Sequence, residues 1–239
     1  MTYRTLAHEE RRKRIALLGI IAFASVMMWQ TAWGSLMLYP FTILATWFHE
    51  MGHGLAAMAV GYDFQRLEIY PDGSGVALSL VPLDGSRLAA ALVAAAGPVG
   101  PALAGAGLIM ASRRERGTHW ALGILGAALL LSTLIWVRSL TGWLVLVPAG
   151  LVSLGIAVRA GAETQRLVLQ VRGVQAAVSM YQHLGYLFSQ GGRIGGVPQR
   201  SDTQAIADVL LLPYWFWGAA ITALTAIMLW RAFRYALQP

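Results

Sequence analysis

The chain has 239 residues, 57% of them hydrophobic and only 12% charged, and its apolar runs are long enough to cross a bilayer, which excludes an ordinary soluble domain. The formal charge of +7 comes from seventeen arginines and one lysine placed beside those runs, which is the pattern of membrane topology and not of a nucleic-acid surface. No cysteine is present, so disulfides and thiolate metal sites are excluded as well.

The predicted fold class is an all-α polytopic membrane protein with about six transmembrane helices, at residues 15–38, 41–60, 88–110, 120–137, 140–158 and 209–230. Arg4, Arg11, Arg12, Lys13 and Arg14 precede the first of these. Ala22-Phe23-Ala24 resembles a signal-peptide cleavage site, but the apolar stretch runs well beyond it, so an uncleaved span is expected. The basic cluster favours a cytoplasmic N-terminus, whereas Arg113, Arg114 and Arg116 after the third span favour the reverse. Giving the first span more weight puts the loop after the second span in the cytoplasm.

The second span contains His49-Glu50-Met51-Gly52-His53, and Glu50 is its only acidic residue. Histidines four apart project from one face of a helix, and a glutamate between them is close enough to handle the proton of a metal-bound water. Either end of the run is roughly 12–15 Å from the motif, near the midplane of a hydrocarbon layer about 30 Å thick. Ionisable groups at that depth are costly to bury and are usually functional.

Past the motif, Leu67, Ile69, Val76, Leu78 and Leu80 alternate with other residues around Pro71-Asp72-Gly73-Ser74-Gly75, which reads as a small β-hairpin between the second and third spans. It is either an ordinary connection or an exposed edge on which an extended peptide can pair. Pro82-Leu83-Asp84-Gly85 follows, with Ser86 placed to cap the next helix. The third span opens with Ala94-Ala95-Ala96-Gly97-Pro98-Val99-Gly100-Pro101, whose small residues allow close helix packing and whose prolines bend the helix or open its hydrogen bonding.

Residues 167–188 are apolar in part but carry Arg172, Gln175, Gln182 and His183, as a bundle-facing span or an interfacial helix would. Residues 189–200 form a glycine-rich polar stretch. Ser201 with Gln204 then reads as a capping box, which makes Asp202 at least a favourable charge at a helix N-terminus.

Phe48-His49-Glu50-Met51-Gly52-His53-Gly54, the hairpin ending near Gly75 and Ala96-Gly97-Pro98 together resemble the site-2 protease family of intramembrane zinc metallopeptidases, especially its short bacterial members without an added periplasmic domain. The likeness is good over residues 41–107 and loose elsewhere. It implies one membrane-embedded domain over residues 1–239, with a catalytic core at 41–110 and a third-ligand segment near 200–230. It also implies Zn²⁺ held by His49 and His53, Glu50 as general base, substrate binding at Gly97 and Pro98, and transmembrane or membrane-anchored proteins as substrates in the cell membrane. The family often has an asparagine three residues after its Gly-Pro pair; that position is Pro101, and the chain contains no asparagine.

A catalytic zinc usually takes three protein ligands and leaves one position for water. The resemblance implies an aspartate from a later span, and the Ser201-Asp202 pair resembles one found in short members of the family, so Asp202 is the expected third ligand. Asp84 matches the letters of the family's Leu-Asp-Gly motif but precedes the Gly-Pro span; Asp208 and His183 are further alternatives. The mechanism expected is attack by metal-activated water on a peptide carbonyl, with a polar channel bringing water from the side of the hairpin. Its competitor is a metal-binding membrane protein or an inactive relative acting as a binding partner. The lipid bilayer is the expected surrounding, nucleic acid is not an expected partner, and the sequence leaves the oligomeric state open.

Overall fold

The computed structural model describes residues 3–237. Among these the element order is α1 (Tyr3–Trp29), α2 (Ala32–Ala59), β1 (Asp63–Ile69), β2 (Gly75–Leu80), α3 (Arg87–Ala111), α4 (Glu115–Ile135), α5 (Leu140–Arg159), α6 (Ala162–Leu187), β3 (Gly191–Ile194), β4 (Val197–Arg200), α7 (Asp202–Val209) and α8 (Tyr214–Ala236).

Four described helices, α3, α4, α5 and α8, are long and apolar enough to cross a membrane, and α1 with α2 makes a fifth span if that bent pair is counted as one. The sequence led us to expect about six. The difference arises at the start, where the chain turns by 117° between Trp29 and Ala32. Thr31 caps α2 there, its hydroxyl accepting from the Gly34 amide at 3.1 Å. The expected break near Pro40 does not occur, and Pro40 lies inside α2. A proline removes one amide donor from a helix, and neighbouring helices allow membrane helices to tolerate it.

Helix α6 packs inside the bundle, burying Leu169, Gln170, Arg172, Val174 and Gln175. Two of its polar side chains find partners there: Arg172 donates to Ser153 Oγ, and Gln175 Nε2 donates to Ser25 Oγ at 2.7 Å. Small residues bring α6 close to α3, since a Cβ on Gly105 would meet the Gly173 carbonyl oxygen at 2.8 Å.

Strands β1 and β2 form an antiparallel hairpin between α2 and α3. The outer edge of β1 is already occupied. Leu67 N donates to the Trp136 carbonyl, Arg138 N donates to the Leu67 carbonyl, and Ile69 N donates to Ser139 Oγ, each at 2.9 Å. The hairpin is tied to α2 by Tyr39, whose hydroxyl donates to the Pro71 carbonyl at 2.9 Å, and by Thr46, which donates to the Gly73 carbonyl at 2.6 Å. A second antiparallel hairpin, β3–β4, occupies the stretch expected to be only glycine-rich and polar.

Ile43, Leu44, Trp47 and Met51 of α2 pack in one core with Leu67 and Ile69 of β1 and Leu122, Leu125 and Leu129 of α4. Within it Trp47 Nε1 donates to Ser132 Oγ at 3.0 Å, which satisfies a buried donor and fixes the rotation of α2. Another face of α2 is turned towards α3, where a Cβ on Gly52 would meet the Ala96 carbonyl and His53 Nδ1 reaches the Val93 carbonyl.

Candidate metal centre

His49 and His53 lie one turn apart in the second half of α2, with Glu50 next to His49. Asp202 is the first residue of α7, and two local contacts set its position. Ser201 is fully buried and caps α7 by accepting from the Gln204 amide at 3.1 Å, while Thr203 Oγ1 donates to the Leu187 carbonyl at 2.8 Å. Ile206 then packs with Ala91, Leu187 and Ile221, seating α7 between α3 and α8. The capping role of Ser201 is compatible with a side chain at position 202 that reaches α2.

The result is a compact cluster. Asp202 Oδ2 lies 3.0 Å from His49 Nε2, and Asp202 Oδ1 lies 3.2 Å from His53 Nε2. Exposure of the three side chains is 12% for His49, 15% for His53 and 13% for Asp202. Glu50, on the same face, is buried.

Three observations fit these residues to a metal ion. His53 Nδ1 stands 2.8 Å from the Val93 carbonyl oxygen, which can only accept, so Nδ1 carries the hydrogen and a neutral ring turns a bare Nε2 towards Asp202. A bare nitrogen and a carboxylate oxygen at that distance repel unless a proton or a cation lies between them. Asp202 Oδ2 is buried and accepts no well-aligned hydrogen bond, although His49 Nε2 is close by. Bonds of about 2.0–2.1 Å to a tetrahedral zinc put neighbouring ligand atoms about 3.3 Å apart, near the two separations seen. An imidazole whose second nitrogen donates to a backbone carbonyl is also the usual outer support of a metal-bound histidine.

A cavity of about 570 Å³ opens on the cluster. It is lined by His49, Glu50, His53 and Asp202, by Gly75, Val76, Ala77 and Ser79 of β2, by Ala90, Val93 and Ala94 of α3, and by Arg193, Gln199 and Arg200 of the second hairpin. Asp72 and Ser74 stand at its rim, where the Ser74 hydroxyl and amide hold the Asp72 carboxyl below the usual carboxylate range.

A family model described as Peptidase M50B-like matches residues 17–232. The chain belongs to the Peptidase M50B-like family, which is the site-2 protease family. No curated protein and no solved structure matches the chain. Membership suggests intramembrane metallopeptidase activity, and four or five apolar helices agree with a multi-pass membrane protein. The family is in general zinc-dependent, in keeping with a His-His-Asp cluster of this type.

As a member of the M50B-like family, the chain is informative about the other residues singled out from its sequence. Asp84 is exposed in a turn closed by the Gly85 amide on the Pro82 carbonyl at 2.9 Å, away from the cluster. Ser86 occupies the N-cap position of α3 but makes no side-chain capping hydrogen bond. Asp208 faces outward, paired with Arg200 and accepting from Gln204 Nε2 at 2.7 Å. The side chain of His183 lies outside the described residues. Gly97 and Pro98 are buried, and neither lines the cavity. Gly97 instead lies against the His53 imidazole, and a Cβ there would overlap the ring.

On the cavity's far wall the sequence offered residues 189–200, which include Arg193 and Gln199, only as one of several places where substrate could be selected, and it did not single out Tyr186. A signal for part of it was present: two glycines, Gly195 and Gly196, between Ile194 and Val197 are the marks of a two-residue hairpin turn.

Proposed function

We propose that the protein is an intramembrane zinc metalloprotease that hydrolyses peptide bonds of transmembrane or membrane-anchored proteins. The observation carrying this reading is that His49, His53 and Asp202 converge on a cavity that also contains the buried Glu50 carboxylate. In this reading the two imidazoles and the aspartate hold the ion, and the cavity provides the open side that catalysis needs. Zinc in that position supplies Lewis acidity, which activates water and polarises a carbonyl.

The chain's own residues do the rest. Glu50 accepts a proton from the attacking water and returns it to the departing amine. Val93 fixes the tautomer of His53 through its carbonyl. Gly97 serves the site by leaving room for the His53 ring, and buried Pro98 continues that close packing, so their bearing on substrate is indirect.

The sheet supports the proposed substrate class. The outer edge of β1 is taken by residues 136–139, whereas β2 is the other edge strand of the two-stranded sheet and its residues line the cavity. A transmembrane helix keeps its carbonyls in its own hydrogen bonds, so a segment must be unwound before attack; an extended segment added to β2 passes Glu50. Membrane-protein substrates, the bilayer around the apolar helices and residence in the cell membrane belong to the same proposal.

The deciding experiment is Glu50→Gln in the purified protein. Cleavage should fall by about 10²–10⁴-fold while zinc content is unchanged. Retained proteolysis would remove Glu50 from the mechanism, and zinc binding without proteolysis in the unaltered chain would favour a binding partner derived from a protease.

A further inference from the structure

The two hairpins meet at their tips. Between Ile194 and Val197 the chain turns through Gly195 and Gly196 with φ of +55° and +81°, a left-handed two-residue turn that suits glycine. The turn brings Gly195 onto Tyr70, the residue after β1, so that a Cβ on Gly195 would lie on the ring carbons. Tyr70 is held in place: its hydroxyl donates to Glu68 Oε2 at 3.1 Å, and Glu68 pairs with Arg66 at 3.0 Å.

The root of the second hairpin is fixed beside the metal centre. Ser201 N donates to the Gln190 carbonyl at 3.2 Å, and the Tyr186 hydroxyl donates to the Arg200 carbonyl at 3.0 Å. Its tip rests on an aromatic face. Beneath this bridge lies the cavity, walled by β2 on one side and by Gly192, Arg193 and Gln199 on the other. A substrate flanked by membrane helices or folded domains has no free end to thread under a closed bridge. A small molecule needs no opening.

We propose that Gly195 and Tyr70 form a clasp, and that the β3–β4 hairpin swings off Tyr70 to admit an extended substrate segment laterally along β2 and closes over it. This rests on the proteolytic reading of the site. Tyr70 and Gly195 thereby control access without touching the metal centre.

The absence of cysteine makes the test direct. In the full-length chain, Tyr70→Cys and Gly195→Cys are bridged with a reducible bis-methanethiosulfonate linker, and cobalt replaces zinc so that the visible spectrum reports ligands reaching the metal. Two probes are used. One is acetohydroxamate; the other is an extended peptide with a hydroxamate on a central side chain and biotin–streptavidin at both ends. The bridged protein should bind acetohydroxamate as before and the capped peptide at least about tenfold more weakly, with recovery on reduction. Unchanged affinity of the bridged protein for the capped peptide would overturn the clasp. Gly195→Ala, without a linker, should wedge the tips apart and tighten binding of the capped peptide severalfold, because apparent affinity is reduced by the closed fraction. No change there would also count against the proposal. Failure of the unbridged protein to take up metal would overturn the proposed function itself and the clasp with it.

Discussion

Gly97 of α3 and His53 of α2 share a space that has room for only one side chain. A Cβ on Gly97 would overlap Nε2 and Cε1 of the His53 ring. Backbone contact elsewhere along the two helices leaves little slack: a Cβ on Gly52 would run into the Ala96 carbonyl, and one on Gly100 into the Phe48 carbonyl. Gly97→Ala should therefore rotate or push out the imidazole and weaken metal binding by roughly 10–100-fold, as loss of an outer support does in other sites. Competition with a chromophoric chelator measures this. Affinity equal to that of the unaltered chain would mean that His53 is not a ligand in the geometry described.

Asp202 and Asp84 make a matched pair for testing the third ligand. Asp202 lies within 3.2 Å of both imidazoles, whereas Asp84 is exposed in its own turn. Metal content of the purified protein should fall sharply in Asp202→Ala, with His49→Ala as the reference for a lost ligand, and should be unchanged in Asp84→Ala. The reverse pattern would make Asp84, in the turn before α3, the third ligand in place of Asp202.

What the sequence revealed, and what it withheld, follows the range over which the determining forces act. His49, Glu50 and His53 were legible because helical spacing alone puts them on one face. Helices α3, α4, α5 and α8 were legible because unbroken apolar runs mark them. The turn at Gln30 and Thr31 was missed because it lies inside an apolar run, where a capping threonine is a weaker mark than the proline that α2 absorbs. Ser201 was correctly read as a cap, yet no local rule brings a residue after α6 next to one in α2. That meeting depends on Ile206 packing with Ala91 and Ile221, which is a tertiary fact. The second hairpin is different, since Gly195-Gly196 between two apolar β-branched residues is a local signal.

Metal should hold α7 to α2, because its ligands come from both helices. An ion that binds only the folded state stabilises it by RT ln(1 + [L]/Kd), about 2.7 kcal/mol at a hundredfold excess over Kd. Chelation should therefore lower the unfolding temperature in detergent, and added zinc should restore it. Asp202→Ala should abolish the zinc-dependent part of the shift. An unaltered chain whose melting ignores both chelator and zinc would argue against a centre that joins the two helices.

Gly75 separates metal binding from catalysis, since it begins β2 beside the proposed base and is far in sequence from the ligands. A Cβ there would stand 2.6 Å from Thr46 Cγ2 and 2.9 Å from Glu50 Cγ, closer than such atoms approach in real structures. Thr46 cannot easily yield, because its hydroxyl also holds the Gly73 carbonyl at 2.6 Å. The strain of Gly75→Ala must then displace the start of β2 or turn the Glu50 side chain. Either movement misplaces the base or the strand against which substrate lies, while His49, His53 and Asp202 keep their own supports in α2, α3 and α7. Cleavage should fall by about 10²-fold or more, the order of loss produced by misplacing a reacting group by an ångström. Zinc content and the zinc-dependent melting shift should be unchanged. If zinc is lost along with activity, the hairpin is part of the metal site's framework; if activity persists, β2 does not govern the position of Glu50.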